Sequence, residues 1–168
     1  GTGSITLNVN QRPAVTAQPA NTSVCAASGA TFSITATGTN ISYQWQESTN
    51  GGVTWTSLTN GAPYAGVGTP TLTVNPVTVA MNNNRYRCVV SGICSPAANS
   101  NGAVLTVKAL PTVTVTPASA CGGVAGINGL ALTASGGGTY SWSGGQNTTA
   151  AANNIATAAT YTCTVTNA

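Results

Sequence analysis

Residues 85–94 read RYRCVVSGIC, and upstream of them residues 43–46 read YQWQ. In the first stretch Tyr86, Cys88 and Val90 alternate with Arg85, Arg87 and Val89; in the second, Tyr43 and Trp45 alternate with glutamines. A period of two places one set of side chains on a buried face and the other toward solvent, which is the pattern of a half-buried β-strand. The same alternation of Val, Ile, Thr and Tyr between Gly, Pro and Asn clusters predicts strands over residues 31–36, 41–47, 71–74, 85–91, 103–107, 112–115, 130–134, 139–142 and 160–166. No stretch carries the i, i+3, i+4 spacing of a helix. Turn signals such as Asn50-Gly51-Gly52 and Asn60-Gly61 fall between the strands.

The two stretches also recur. Pro13, Cys25 and Trp45 have counterparts at Pro111, Cys121 and Trp142, at offsets of 98, 96 and 97 residues. The offset drops to 75 between Tyr86-Arg87-Cys88 and Tyr161-Thr162-Cys163, so the second copy lacks a region matching GGVTWTSLTNGAPYAGVGTPTLTV at residues 51–74. Two homologous modules account for this. A tryptophan in YQWQ and YSWS, followed by Tyr-x-Cys, places the landmarks of an immunoglobulin-like sandwich. These are a buried tryptophan on the third strand and a tyrosine corner whose hydroxyl bonds back to nearby backbone. The expected fold is therefore all-β, with two tandem immunoglobulin-like β-sandwich modules. Residues 1–12 form a closing strand and linker, 13–108 the larger module, and 109–168 a shorter one lacking its last strand.

Composition narrows the chemistry. The chain has 168 residues, of which 42% are hydrophobic and only 3% charged, against about 25% charged in an average domain. The ionisable side chains that carry charge are Glu47, Arg12, Arg85, Arg87 and Lys108, with no Asp and no His. One carboxylate cannot supply the acid and base pair of a glycosidase, and no His means no Ser-His or Cys-His arrangement. The chain is read as no enzyme. The one covalent reaction the inventory leaves open is a crosslink between Lys108 and an asparagine with Glu47 as proton shuttle. Calcium and zinc sites need several carboxylates or clustered Cys and His, so no metal and no other cofactor is expected. A net charge of +3 from scattered cations argues against nucleic acid. No apolar run reaches the roughly 18 residues of a membrane span.

Five cysteines in short β-rich modules point to an extracellular, oxidising setting. Cys121 and Cys163, the only pair in the second module, would bridge each other. By equivalence Cys25 would pair with Cys88, leaving Cys94 over; the rival is a bridge from Cys25 to Cys94 with Cys88 a buried thiol. Three Asn-x-Ser/Thr matches, at Asn21, Asn40 and Asn147, are unremarkable in so Asn- and Thr-rich a chain.

One spacing links the start of the chain to its middle. Leu7, Val9 and Pro13 repeat as Leu105, Val107 and Pro111, a Leu-x-Val-x-x-x-Pro pattern. The second occurrence reads as the last strand of a module followed by its linker proline. The expectation is that Ser4, Ile5, Thr6, Leu7, Asn8 and Val9 form an inter-repeat strand that completes the short module of a neighbouring copy, in a continuous tandem array or by strand exchange between separate subunits.

At YQWQESTNGGVTWTSL and RYRCVVSGIC the chain resembles the immunoglobulin-like repeats of very large surface and secreted proteins of Bacteroidota. In that family such modules are strung in tandem and exported by the type IX secretion route. The resemblance implies an architectural or adhesive role at the cell surface, in gliding adhesins, contact appendages or extracellular filaments. The implied partners are copies of the chain, end to end and side by side, since few charges oppose close packing. The alternative is a module that binds a surface glycan or protein, with Trp55 and Tyr64 as candidate ligand contacts.

Overall fold

The computed structural model describes residues 7–110, 112–115, 132–135, 139–142, 151–152 and 163–166. It divides into two compact units, Gly1–Lys108 and Ala109–Ala168. The first unit runs β1 (Ala14–Ala17), β2 (Thr22–Cys25), β3 (Ala30–Ser33), β4 (Thr35–Thr37), β5 (Ser42–Ser48), β6 (Thr56–Ser57), β7 (Tyr64–Ala65), β8 (Thr71–Val74), β9 (Arg85–Ser91), β10 (Ala98–Asn99) and β11 (Ala103–Lys108), with one 3-10 turn at Val79–Met81.

These strands form a sandwich. One sheet has the order β2-β11-β9-β5-β6, with β10 also on β9; the facing strands pair as β3-β8-β7 and β1-β4. Alternation explains the layers. Trp45 on β5, Tyr86, Cys88 and Val90 on β9, and Leu105 and Val107 on β11 turn inward from the larger sheet. Phe32, Ile34, Leu72 and Val74 meet them from the other side. Trp45 is 0% exposed and lies directly opposite Cys88 in the β5–β9 register. Its indole Nε1 donates to the Thr69 carbonyl at 2.9 Å, so the one polar atom of the ring is satisfied as burial requires.

The first strand of the sandwich changes sheets. Before Pro19 the chain pairs antiparallel with β4, and after it β2 pairs in parallel with β11, Thr22 to Cys25 against Leu105 to Lys108. Pro19 has no N–H to give to either ladder, which suits it to the crossing point. The strand expected over residues 31–36 is also divided, into β3 and β4. Between them Ile34 gives its N–H to the Pro70 carbonyl at 3.0 Å and keeps its side chain in the core.

In the second unit the strands are β12 (Thr112–Val115), β13 (Leu132–Ser135), β14 (Thr139–Trp142), β15 (Ala151–Ala152) and β16 (Cys163–Thr166). They pair as β12-β13-β15 and β14-β16. Trp142, on β14, is buried and stands opposite Cys163 on β16, as Trp45 stands opposite Cys88. Cys121 and the first part of the strand expected over 160–166 lie outside the described residues.

Candidate functional site

Glu47, the chain's only carboxylate side chain, is central to the first unit. It lies opposite Tyr86 in the β5–β9 register, and directly opposed residues share a face of the sheet, so Glu47 faces the core. Its Oε1 accepts hydrogen bonds from the Tyr86 hydroxyl at 2.8 Å, Asn84 Nδ2 at 2.8 Å and the Tyr64 hydroxyl at 2.9 Å. The Phe32 and Tyr64 rings flank Tyr86 at centroid distances of 4.9 and 6.3 Å. Burial, and then the adjoining carboxylate, push the Tyr64 hydroxyl up to about 12 and Tyr86 up as well. The tyrosine corner expected at Tyr86 is thereby corrected, while the one expected at Tyr161 lies outside the described residues. Tyr86 bonds to a carboxylate across the strand pair because an ionised acceptor makes the stronger hydrogen bond.

Trp55 is positioned by the loop that follows β5. Ser48 Oγ accepts the Gly52 N–H at 2.8 Å and donates to Asn50 Oδ1 at 2.9 Å. The Asn50 side chain then takes the Thr54 N–H at 2.9 Å. Gly51 and Gly52 adopt φ of 74° and 97°, a region that other residues avoid. The indole Nε1 of Trp55 closes the loop on the Gly52 carbonyl at 3.0 Å. The half-buried ring packs against Gly102, where an added Cβ would lie 2.8 Å from Trp55 Cη2. Arg87 lies over it, with its Cζ 4.3 Å from the ring centroid.

The two aromatic residues singled out from the sequence are therefore not brought together. Trp55 belongs to the β5–β6 connection at the larger sheet, while Tyr64 is on β7 of the facing sheet and spends its hydroxyl on Glu47. What the sequence does not reveal is the association of Trp55 with Arg87, because it depends on the register of β5 against β9.

In the first unit neither expected pairing of Cys25 fits the registers of β2, β11 and β9, while the expected Cys121–Cys163 pairing lies outside the described residues. Cys25 lies opposite Lys108, whereas Tyr86 lies opposite Ala103. Cys88 is two residues further along β9, away from Lys108. The offset of five residues on β11 and two on β9 amounts to roughly 20 Å along the strands, far beyond the ~7 Å Cα separation that a disulfide tolerates. Cys94 follows β9 in the same direction, so a bridge from Cys25 to Cys94 is further out of reach. Cys88 is a buried thiol and Cys94 a half-buried one. Burial pushes the Cys88 thiol up to about 11, and Cys94 Sγ sits 3.6 Å from the Asn10 carbonyl.

The crosslink chemistry does not assemble either. Lys108 is exposed at the end of β11, five residues from the position level with Glu47, and Glu47 is engaged by three other donors. Among the described residues no three Cys, Asp, Glu or His converge on a metal-sized site, and no helix is long and apolar enough to cross a membrane.

Of the expected inter-repeat strand, Ser4, Ile5 and Thr6 lie outside the described residues, and Leu7, Asn8 and Val9 carry no strand pairing. Leu7 is 82% and Val9 77% exposed.

Two facing sheets, a tryptophan against the Cys88 strand and a first strand shared between the sheets define the immunoglobulin-like class. Solved structures agree. The I-band fragment of titin matches with a TM-score of 0.55 at 20% identity over 78% of this chain and 45% of its own. A Dscam structure matches with a TM-score of 0.54 at 18% identity over 95% of this chain and 43% of its own. A titin–obscurin-like complex gives a TM-score of 0.51 at 15% identity over 62% of this chain and all of its own. The chain thus spans less than half the length of the first two. More narrowly, the chain belongs to the family described as a domain of unknown function, DUF8696, whose model matches residues 14–109. A search of curated proteins found no match.

Proposed function

We propose that the chain is a structural segment of an extracellular filament or adhesin stalk, in which immunoglobulin-like modules follow one another and residues 4–9 supply the closing strand of an adjacent copy. The observation that carries this reading is one pattern in two settings. In Leu105-x-Val107-x-x-x-Pro111 the Leu is 0% and the Val 7% exposed, as core residues of β11. In Leu7-x-Val9-x-x-x-Pro13 the same side chains are almost fully exposed. Alternating apolar residues gain stability only against a core, and the open sheet edge of a module in an adjacent copy would provide one. The low charge of the chain favours side-by-side packing of such arrays, and the immunoglobulin-like fold is in keeping with a structural or adhesive role; export by the type IX route is proposed from the sequence resemblance.

The test is hydrogen exchange on one copy and on two copies joined in tandem. Amides of residues 4–9 in the second copy are expected to become protected, and Leu7→Asn with Val9→Asn in that copy to remove the protection while β9 and β11 stay unchanged. If residues 4–9 exchange equally fast in both proteins, the reading fails.

A further inference from the structure

Arg85 and Arg87 share the face of β9 opposite to Tyr86, Cys88 and Val90, so both project from the outer side of the larger sheet, with Cα atoms about 7 Å apart. Both are half-buried. Arg87 lies over the Trp55 ring, with its Cζ 4.3 Å from the centroid, and its Nε donates to Gln46 Oε1 at 2.8 Å. Arg85 runs beside Gly52 and Gly102, which leave room for it and for the indole. Burial works against the charge of Arg87. Yet no carboxylate answers either guanidinium, because the single acidic side chain of the whole chain, Glu47, is on the core side of the same sheet and bound to Tyr64, Tyr86 and Asn84.

Partly desolvated cations without a counter-charge are unfavourable unless a ligand supplies one. That ligand is not another copy, since every copy hides its only carboxylate side chain in the same way. We infer that the outer face of β9 around Trp55 binds the carboxylate groups of an acidic polysaccharide. A guanidinium matches a carboxylate in bidentate fashion, and two of them at alternate positions of one strand suit a polymer that repeats its charge. Exposed Ser57, opposite Gln46 on the same outer face, borders the patch, and its Oγ, which accepts Gln46 Nε2 at 3.2 Å, keeps its own hydrogen for a sugar hydroxyl. Two cations are too few for the other common polyanions. Stable attachment to an anionic membrane takes a cluster of several cations, and nucleic acid is held by many phosphate contacts. This site involves none of the residues on which the closing-strand reading rests, so either can fail alone.

The full chain is titrated with polygalacturonate at about 0.15 M salt, where weak long-range attraction is screened. Arg85→Gln with Arg87→Gln is expected to weaken binding at least tenfold. Arg12→Gln with Lys108→Gln, which removes the same net charge, is expected to leave it within twofold. Arg85→Lys with Arg87→Lys falls between, as a point charge replaces the planar fork. If the first variant does not fold, as judged by its urea midpoint, methyl-esterified polygalacturonate tests the same point on the unaltered protein and is expected not to bind. The inference is overturned if polygalacturonate is not bound, if both Gln variants lose affinity equally, if the esterified polymer binds as well, or if vesicles of anionic phospholipid bind as tightly.

Discussion

Replacing Glu47 with alanine removes an acceptor that serves three donors at once. Two of these, the Tyr86 hydroxyl and Asn84 Nδ2, belong to buried residues, and the third, the half-buried Tyr64 hydroxyl, can turn to water. A buried donor that loses a charged acceptor costs about 1.5–3 kcal/mol, so two of them cost about 3–6 kcal/mol. The variant also no longer holds a carboxylate away from water, which offsets part of this. The expected net loss is about 3 kcal/mol, a large share of the ~5–15 kcal/mol available to a domain. Glu47→Gln keeps a neutral oxygen in place but adds an amide donor, and is expected to lose about 1 kcal/mol. The assay is urea unfolding followed by tryptophan fluorescence, with Trp45 reporting the core. An unchanged m-value allows the midpoints to be compared. Tyr86→Phe alone and combined with Glu47→Ala completes a cycle, in which a coupling of more than about 1 kcal/mol is expected for a shared hydrogen bond. A Glu47→Ala protein within about 0.5 kcal/mol of the parent, or strictly additive losses, would refute the argument that this carboxylate organises the core.

Raised pKa values make the fold sensitive to alkali. The Cys88 thiol moves from 9.0 to about 11 and the Tyr64 hydroxyl from 10.0 to about 12. Their protonated forms favour the fold, so stability is full below pH 9 and falls as pH rises through 9–12; urea midpoints that stay level across that range would contradict this. Trp45→Ala empties the centre of the core and is expected to cost about 3–5 kcal/mol, read as a lower thermal midpoint. Gly102→Ala forces the Trp55 ring aside, costing about 1–3 kcal/mol, and is expected to change the near-ultraviolet dichroism of the indole; an unchanged spectrum would show that the ring does not rest there. In the native protein a thiol reagent is expected to label Cys94 well before Cys88, and the order to disappear in urea.

The strands that alternate cleanly, β5, β8, β9 and β11, were legible to within a residue or two, together with the buried roles of Trp45 and Cys88. Each of these follows from period two and from side-chain volume, which are local properties. The short strands β1 and β2 were not legible, because their side chains are mostly exposed or half-buried and Pro19 divides them. The candidate site was less legible still. The Glu47 cluster, the Arg87–Trp55 contact and the separation of Cys25 from Cys88 all depend on which residue of one strand opposes which of another. Composition cannot report that, whereas a one-residue change in register reverses it. Trp55 was legible as an aromatic candidate, but its arginines were not, because their sequence signal was only their placement at alternate positions of β9.

The parallel pairing of β2 with β11 would have a mechanical meaning in the proposed stalk. Chain enters the sandwich ahead of β2 and leaves it after β11, and the two strands run the same way. Tension between the entry and exit therefore slides one strand along the other, loading the hydrogen bonds from Thr22 to Cys25 against Leu105 to Lys108 together instead of opening them one at a time. Pulled lengthwise, this strand pair resists as a lap joint does, in shear.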